Sequence, residues 1–170
     1  MNIAHQIISW LQSQDFQQVF TVCGGASQFL NDAVNNVRGL KVTYLHHEQA
    51  CAMAAEAYAR ILNRPALLIT TSGPGSINAL NGVFGAYTDS IPILVLSGQI
   101  KKATCTYFQK DKRIRQLGDQ EAPVFDIVKP ITKYSCIIKS AGELNKKLPL
   151  SIEKLNCAMI FPLSNSSFTK

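Results

Sequence analysis

Three apolar runs that do not alternate set the strongest limit on this fold: "QQVFTV" at 17–22, "PALLIT" at 65–70 and "IPILVLS" at 91–97. A strand with one wet face alternates apolar and polar side chains. A continuously apolar strand needs cover on both faces. The cover is written between the runs. Ile3, Ile7, Ile8 and Leu11 mark a helical face over 2–14, and "SQFLNDAVNNV", "HEQACAMAAEAYARIL" and "INALNGVFGAY" read as further helices. "LKVTYL" and "PITKYSCII" add strands, and "AGELNKKL" a short helix. The pattern predicts an α/β fold, a doubly wound three-layer sandwich with a mostly parallel sheet and helices on both faces.

Beyond Gly98 the rhythm fails for about thirty residues, a length that marks a functional loop or a passage between domains. No element is predicted after Leu148. The chain therefore divides into a domain at 1–147, including the start of a linker, and a tail at 148–170. Residues 1–100 carry four Lys/Arg against five Asp/Glu, and residues 101–170 carry thirteen against six. The basicity belongs to the last third, chiefly "KKATCTYFQKDKRIRQ". No recognition helix or interleaved aromatic pattern accompanies it, so it reads as a solvated connection and not as a nucleic-acid surface. No apolar run has the length of a membrane span, and the N-terminus lacks the marks of a signal peptide. Five scattered cysteines (Cys23, Cys51, Cys105, Cys136 and Cys157) form no C-x-x-C pair. They suit reduced thiols in a cytoplasmic protein.

Ligands of open parallel sheets sit beyond the carboxyl ends of the strands. Three turns fall there: "CGGAS", "HHEQ" and "TSGPGS". Gly24, Gly25, Gly73 and Gly75 allow close backbone approach, and the helix starts that follow offer N–H groups. Each feature alone has a bland reading. Glu48 can cap a helix, "TSGPGS" can be a tight turn, and Asp89 can close one. The pair His46–His47 lacks a spaced third ligand for a metal.

Taken together, "VFTVCGG", "HEQACAMAAEAYAR" and "TSGPGSINALNGVFGAYTDSIPILVLSGQ" resemble the N-terminal, pyrimidine-binding domain of thiamine-diphosphate-dependent enzymes of the acetolactate synthase and pyruvate oxidase group. The resemblance covers roughly Ala4 to Tyr134, and "RQLGDQE" with "VKPITKY" leans toward acetolactate synthase. It implies 2-oxo acid decarboxylation or carboligation, the chemistry of branched-chain amino acid biosynthesis. Glu48 would be the catalytic carboxylate, hydrogen-bonded to the pyrimidine ring nitrogen of thiamine diphosphate and sharing a proton there. Thr71, Pro74, Gly75 and Asn78 would hold the pyrimidine, with Gly24 and Gly25 approaching from the other side. Gln120 and Lys133 would lie toward the substrate, and small residues such as Ala50, Ala54, Ala55 and Ala57 would pack against a neighbouring domain or subunit.

The sequence departs from that family at Cys23, usually Pro, at Ala57 and Asn63, usually Gly, and at Asp119, usually Phe in anabolic acetolactate synthases. It also lacks the Gly-Asp-Gly motif of the diphosphate-binding domain, so the implied site is partial and magnesium would come from a partner domain. Three readings follow. The chain is a fragment of an acetolactate synthase-like enzyme, inactive alone and forming a homodimer. It is the pyrimidine subunit of a two-chain decarboxylase, joined by a chain that carries the diphosphate-binding domain. Or it is an interaction module that keeps the fold without catalysis.

Overall fold

The computed structural model describes residues 2–111 and 113–155 and, as backbone, the strand at 158–162. Six strands, β1 (Gln18–Thr21), β2 (Lys41–Tyr44), β3 (Ala66–Thr70), β4 (Ile93–Ser97), β5 (Tyr134–Ile138) and β6 (Ala158–Pro162), form one sheet in the order β2-β1-β3-β4-β6-β5. Every pairing is parallel. Six helices accompany them: α1 (Ile3–Ser13), α2 (Gln28–Asn36), α3 (Glu48–Leu62), α4 (Pro74–Thr88), α5 (Val124–Val128) and α6 (Ala141–Glu153). This is the expected α/β three-layer sandwich. Among the described residues no helix is long and apolar enough to cross a membrane.

The unbroken apolar runs are explained by two cores, one on each face. Leu67 and Ile69 of β3, with Leu94 and Leu96 of β4, face α1, α2 and α6. Leu68 of β3 and Ile93 and Val95 of β4 face α3, α4 and α5. All seven side chains are fully buried, each contributing roughly 1.5–3 kcal/mol over exposure. Polar residues at alternate positions would have left one core without its floor.

On the second face α3 and α4 pack on small side chains. A Cβ added at Gly82 would stand 2.6 Å from Ala52 Cβ and 2.8 Å from Met53 N, so the helices touch nearly backbone to backbone. Ala52, Ala55 and Ala59 are buried in this contact, whereas Ala50 is exposed and Ala54 and Ala57 are half-buried. Of the four alanines expected to face another domain or subunit, Ala55 alone is fully taken up in this internal contact. Helix α3 stops at Asn63, whose φ of 50° and ψ of 42° place it in the left-handed region that ends helices. Asp89, just past α4, binds Arg60 of α3 at 2.6 Å and ties the two C-terminal ends together.

Three segments differ from the sequence reading. Helix α4 begins at Pro74, three residues early, because Gly73 at φ 60° turns the chain directly into a first-turn proline. Helix α6 continues past Leu148 to Glu153, crossing the 147/148 boundary. A helix-interior proline costs about 3 kcal/mol. Pro149 lies on the exposed side, however, and burial of Leu144, Leu148 and Ser151 beneath it offsets that cost. Ala158–Pro162, assigned no element above, forms β6, inserted between β4 and β5. The rest of the expected tail, 163–170, lies outside the described residues, as does Cys157.

The glycines of α4 provide opposed predictions. Gly82→Ala should lower stability by about 1–3 kcal/mol through overpacking. Gly85→Ala meets nothing within 4 Å and should raise it by roughly 0.5–1 kcal/mol. Urea midpoints moving in opposite directions at equal slope would bear this out. The thiols give a second. Burial pushes Cys51 up to about 11, and burial with the Glu121 hydrogen bond pushes Cys105 up to about 12. Both stay protonated at pH 8. Cys23 is exposed, so peptide mapping should find iodoacetamide on Cys23 well before Cys51, Cys105 or Cys136.

Candidate functional site

The sheet order reverses beside β1, which leads to β2 on one side while β3 lies on the other. The turn after β1 runs to α2 on one face and the turn after β3 runs to α4 on the opposite face, opening a crevice between them. The end of β2 delivers Glu48 to the same edge as the first residue of α3.

Capping of α3 falls to His47, not to Glu48. The Gln49 N–H donates to His47 Nδ1 at 3.2 Å, and His47 holds the extended backbone of an N-cap. The Glu48 carboxylate is thereby released from local duty and turns across the crevice. Its Oε2 accepts from Asn78 Nδ2 at 3.1 Å, so α3 and α4 share one polar contact at their N-terminal ends. Glu48 is half-buried. It also raises the energy of a thiolate at Cys51 beside it, secondary to burial of that thiol.

The glycine turns close around this carboxylate. A Cβ at Gly75 would lie 2.6 Å from Thr71 Cγ2 and 2.9 Å from Glu48 Oε1. At Gly24 it would lie 2.4 Å from Thr71 Cβ, and at Gly25 it would meet nothing within 4 Å. Gly24 and Gly75 are therefore required by packing, while Gly25 leaves open space on the rim. Thr71 stands between the two turns: its Oγ1 accepts from Ala26 N at 3.2 Å. Pro74 opens α4 and is exposed beside them.

A hydroxyl cluster fixes the floor. Ser76 Oγ donates to Thr71 O at 2.7 Å and lies 2.9 Å from Thr70 Oγ1 and 2.6 Å from Ser97 Oγ. All three hydroxyl residues are buried, and together they pin the ends of β3 and β4 to the first turn of α4.

Gln120 comes to the same edge by its backbone. A Cβ on Gly73 would fall 1.7 Å from Gln120 O, so only glycine lets the loop after β4 seat on this turn. Gln120 itself has a φ of 51°. Glu121 anchors the seat, accepting Thr106 N on both oxygens at 2.9 Å and the Cys105 thiol at 2.9 Å.

The structure thus gathers Gly24, Gly25, Glu48, Thr71, Pro74, Gly75, Asn78 and Gln120 at one edge. Lys133 does not join them. It precedes Tyr134, which β6 places level with Leu94 near the start of β4. Every strand being parallel, Lys133 sits at the amino edge, roughly a strand length of 13 Å away. Ala26, Ser76 and Glu121 support the site and were not singled out from the sequence, and His47, weighed there only as half of a metal pair, serves as a cap. Their roles are short hydrogen bonds made across turns, for which the residue types alone give no signal. Among the described residues no three His, Cys, Asp or Glu side chains gather as a metal ligand set.

Comparison with known proteins gives the family. Residues 1–122 match the thiamine pyrophosphate enzyme family, N-terminal TPP binding domain. Over 145 residues the chain is 32% identical to the acetolactate synthase large subunit of Haemophilus influenzae, covering 85% of this chain and 24% of that protein. Against the acetolactate synthase isozyme 3 large subunit of Escherichia coli it is 33% identical over 145 residues, with the same 85% and 24% coverage. Against the Lactococcus lactis large subunit it is 33% identical over 138 residues, 81% of this chain and 22% of the relative. The chain spans about a quarter of the length of these curated relatives. A crevice built around one carboxylate and two glycine turns, together with a match over most of the sequence, places this chain in the thiamine pyrophosphate enzyme family, as its N-terminal TPP-binding domain.

Proposed function

We infer that the chain forms the pyrimidine side of a thiamine diphosphate site in an acetolactate synthase-like enzyme acting on 2-oxo acids, and that alone it does not turn over. The observation that carries this is the Glu48 carboxylate, relieved of capping by His47 and turned toward Asn78 in a crevice rimmed by glycines.

The residues fit the cofactor's pyrimidine. Asn78 engages Oε2 of Glu48, which leaves Oε1, over Gly75, to hold a proton against a ring nitrogen. A charge-assisted hydrogen bond of that kind is worth about twice a neutral one. The open space at Gly25 lets a flat ring approach the backbone. Thr71 keeps the two turns apart, and the buried Ser76 hydroxyl keeps Thr71 in place. Gln120, seated on Gly73, borders the substrate side. Thiamine diphosphate, when bound, supplies an electron sink for carbon–carbon bond cleavage and formation. Residues 1–147 provide this half, and the diphosphate and magnesium belong to groups on another domain or chain.

That second element has a docking face. Ile61 and Leu62 of α3 and Phe84 and Tyr87 of α4 are exposed, Ile61 at 77% and Phe84 at 51%, and Met53 and Ile77 add to the same two helices. Apolar surface gathered on adjacent helices marks a protein interface. A second copy, or a chain bearing the diphosphate-binding domain, covers it.

Two measurements test this reading. Because the chain contacts only the pyrimidine half, thiamine and thiamine diphosphate should bind it with similar affinity in calorimetry, with a Kd on the order of 1 mM. Glu48→Gln should weaken both about tenfold, the loss of one charged hydrogen bond. A magnesium-dependent Kd near 1 µM for the diphosphate alone would contradict the partial site, and equal binding by wild type and Glu48→Gln would contradict the role of Glu48. Light scattering should show self-association that rises with concentration and falls on Phe84→Lys. A monomer at every concentration would remove the homodimer from the proposal.

A further inference from the structure

The loop after β4 encloses a cavity that takes no part in the Glu48 crevice. It measures about 200 Å³ and lies between this loop, α5 and the ends of β4 and β5. Tyr107, Ile114, Val124, Phe125 and Ile137 supply its apolar wall. Tyr107 and Phe125 meet edge to face with centroids 6.0 Å apart, so one side of the cavity is built of two rings set against each other. Glu48, Thr71 and Asn78 do not line it, although Ser72 and Gly73 border both places.

The charges of the wall are already spent. They are two carboxylates, Glu121 and Asp126, and among the described residues no lysine or arginine lines the cavity. Glu121 accepts Thr106 N on both oxygens and the Cys105 thiol on one, each at 2.9 Å. Asp126 Oδ1 accepts from Lys129 Nζ at 2.7 Å, and its side chain is more than half exposed. An anion entering here would meet two carboxylates and no cation of the lining. A cation would give up its water for carboxylates that other donors already hold, and a poorly compensated charge is costly to bury. An uncharged body is what this wall admits.

Two polar groups of the lining residues are unspent. Gln99 uses Oε1 to accept from Ile100 N at 2.9 Å, and its Nε2 has no hydrogen-bond partner among the described residues. Thr106 gives its backbone N–H to Glu121, and its hydroxyl has no partner among them either. Neither group is sealed inside the protein, because among the described residues the fully buried side-chain atom without a partner is Asn31 Oδ1. An oxygen on the occupant can accept from the Gln99 amide or share a hydrogen bond with the Thr106 hydroxyl.

Size narrows the occupant. Drug-sized sites run to about 300–1,000 Å³, whereas a cavity of roughly 150 Å³ holds benzene. One ring with a short arm is the largest body that fits. We propose that this cavity binds a small uncharged molecule made of one apolar ring and one alcohol or carbonyl oxygen, its ring against Tyr107 and Phe125 and its oxygen at Gln99 and Thr106. The site is separate from the Glu48 crevice and does not depend on what that crevice holds.

The test is calorimetry and saturation-transfer NMR on the full chain with benzyl alcohol, toluene, phenylacetate and benzylamine as probes. Benzyl alcohol should bind with a Kd of about 1 mM. Toluene, which lacks the oxygen, should bind roughly threefold to tenfold more weakly. Phenylacetate and benzylamine, an anion and a cation at pH 7, should each bind at least about tenfold more weakly than benzyl alcohol. The double variant Gln99→Met, Thr106→Val should bring benzyl alcohol down to the level of toluene and leave toluene unchanged. Ala122→Leu, which fills the space from a half-buried position on the wall, should remove binding of both. Unaltered thermal unfolding will confirm that each variant keeps the fold. Equal or tighter binding by either charged probe, toluene equal to benzyl alcohol, no effect of the double variant, or no binding by benzyl alcohol would each overturn the proposal. An excess of thiamine separates the two sites: benzyl alcohol should keep its affinity. Displacement by thiamine would mean that there is one site, not two, and would also overturn it.

Discussion

The closeness of α3 and α4 governs the site. With Gly82 against Ala52, no side chain keeps these two helices apart, and their N-terminal turns are carried to the same edge of the sheet. Glu48 is the first residue of one and Asn78 lies in the second turn of the other, so the helix contact sets the reach of the hydrogen bond between them. A larger residue anywhere along that seam would move the carboxylate away from the glycine turns before altering any residue of the site. The alanine-rich stretch after Glu48 is thus part of the machinery, acting through distance.

Much of the fold could be read from the chain because its strands are extreme cases. β3 and β4 are apolar at every position that faces either core, and a parallel sheet covered on both sides is the arrangement that tolerates this. Legibility dropped where one rule opposed another. Pro149 argues for a stop, but the apolar residues around it bury well enough to carry α6 onward. Ala158–Pro162 is too short to separate a strand from a buried helical turn by periodicity, and only its neighbours β4 and β5 decide the matter.

The site divided along similar lines. Residues on turns directly after strands (Gly24, Glu48, Thr71, Gly75) were placed correctly at one edge by topology alone. Gln120 arrives from a long irregular loop, and what brings it in is the vacant side of Gly73, a complementarity that no linear pattern encodes. Lys133 stands apart from this group. It stands immediately before a strand, and in a parallel sheet the start and end of a strand are different sides of the molecule. The direction of β5 therefore removes it from the crevice.

The insertion of β6 has a consequence for how the chain reaches this shape. Among the described strands β5 joins the sheet only through β6, and β6 is made after the other five. As the polypeptide leaves the ribosome, β1 to β4 can assemble early, whereas the slot beside β4 must stay open while some sixty further residues emerge. Until then the newborn chain exposes a bare sheet edge, which makes the interval between β4 and β6 the time when it most needs protection from other chains.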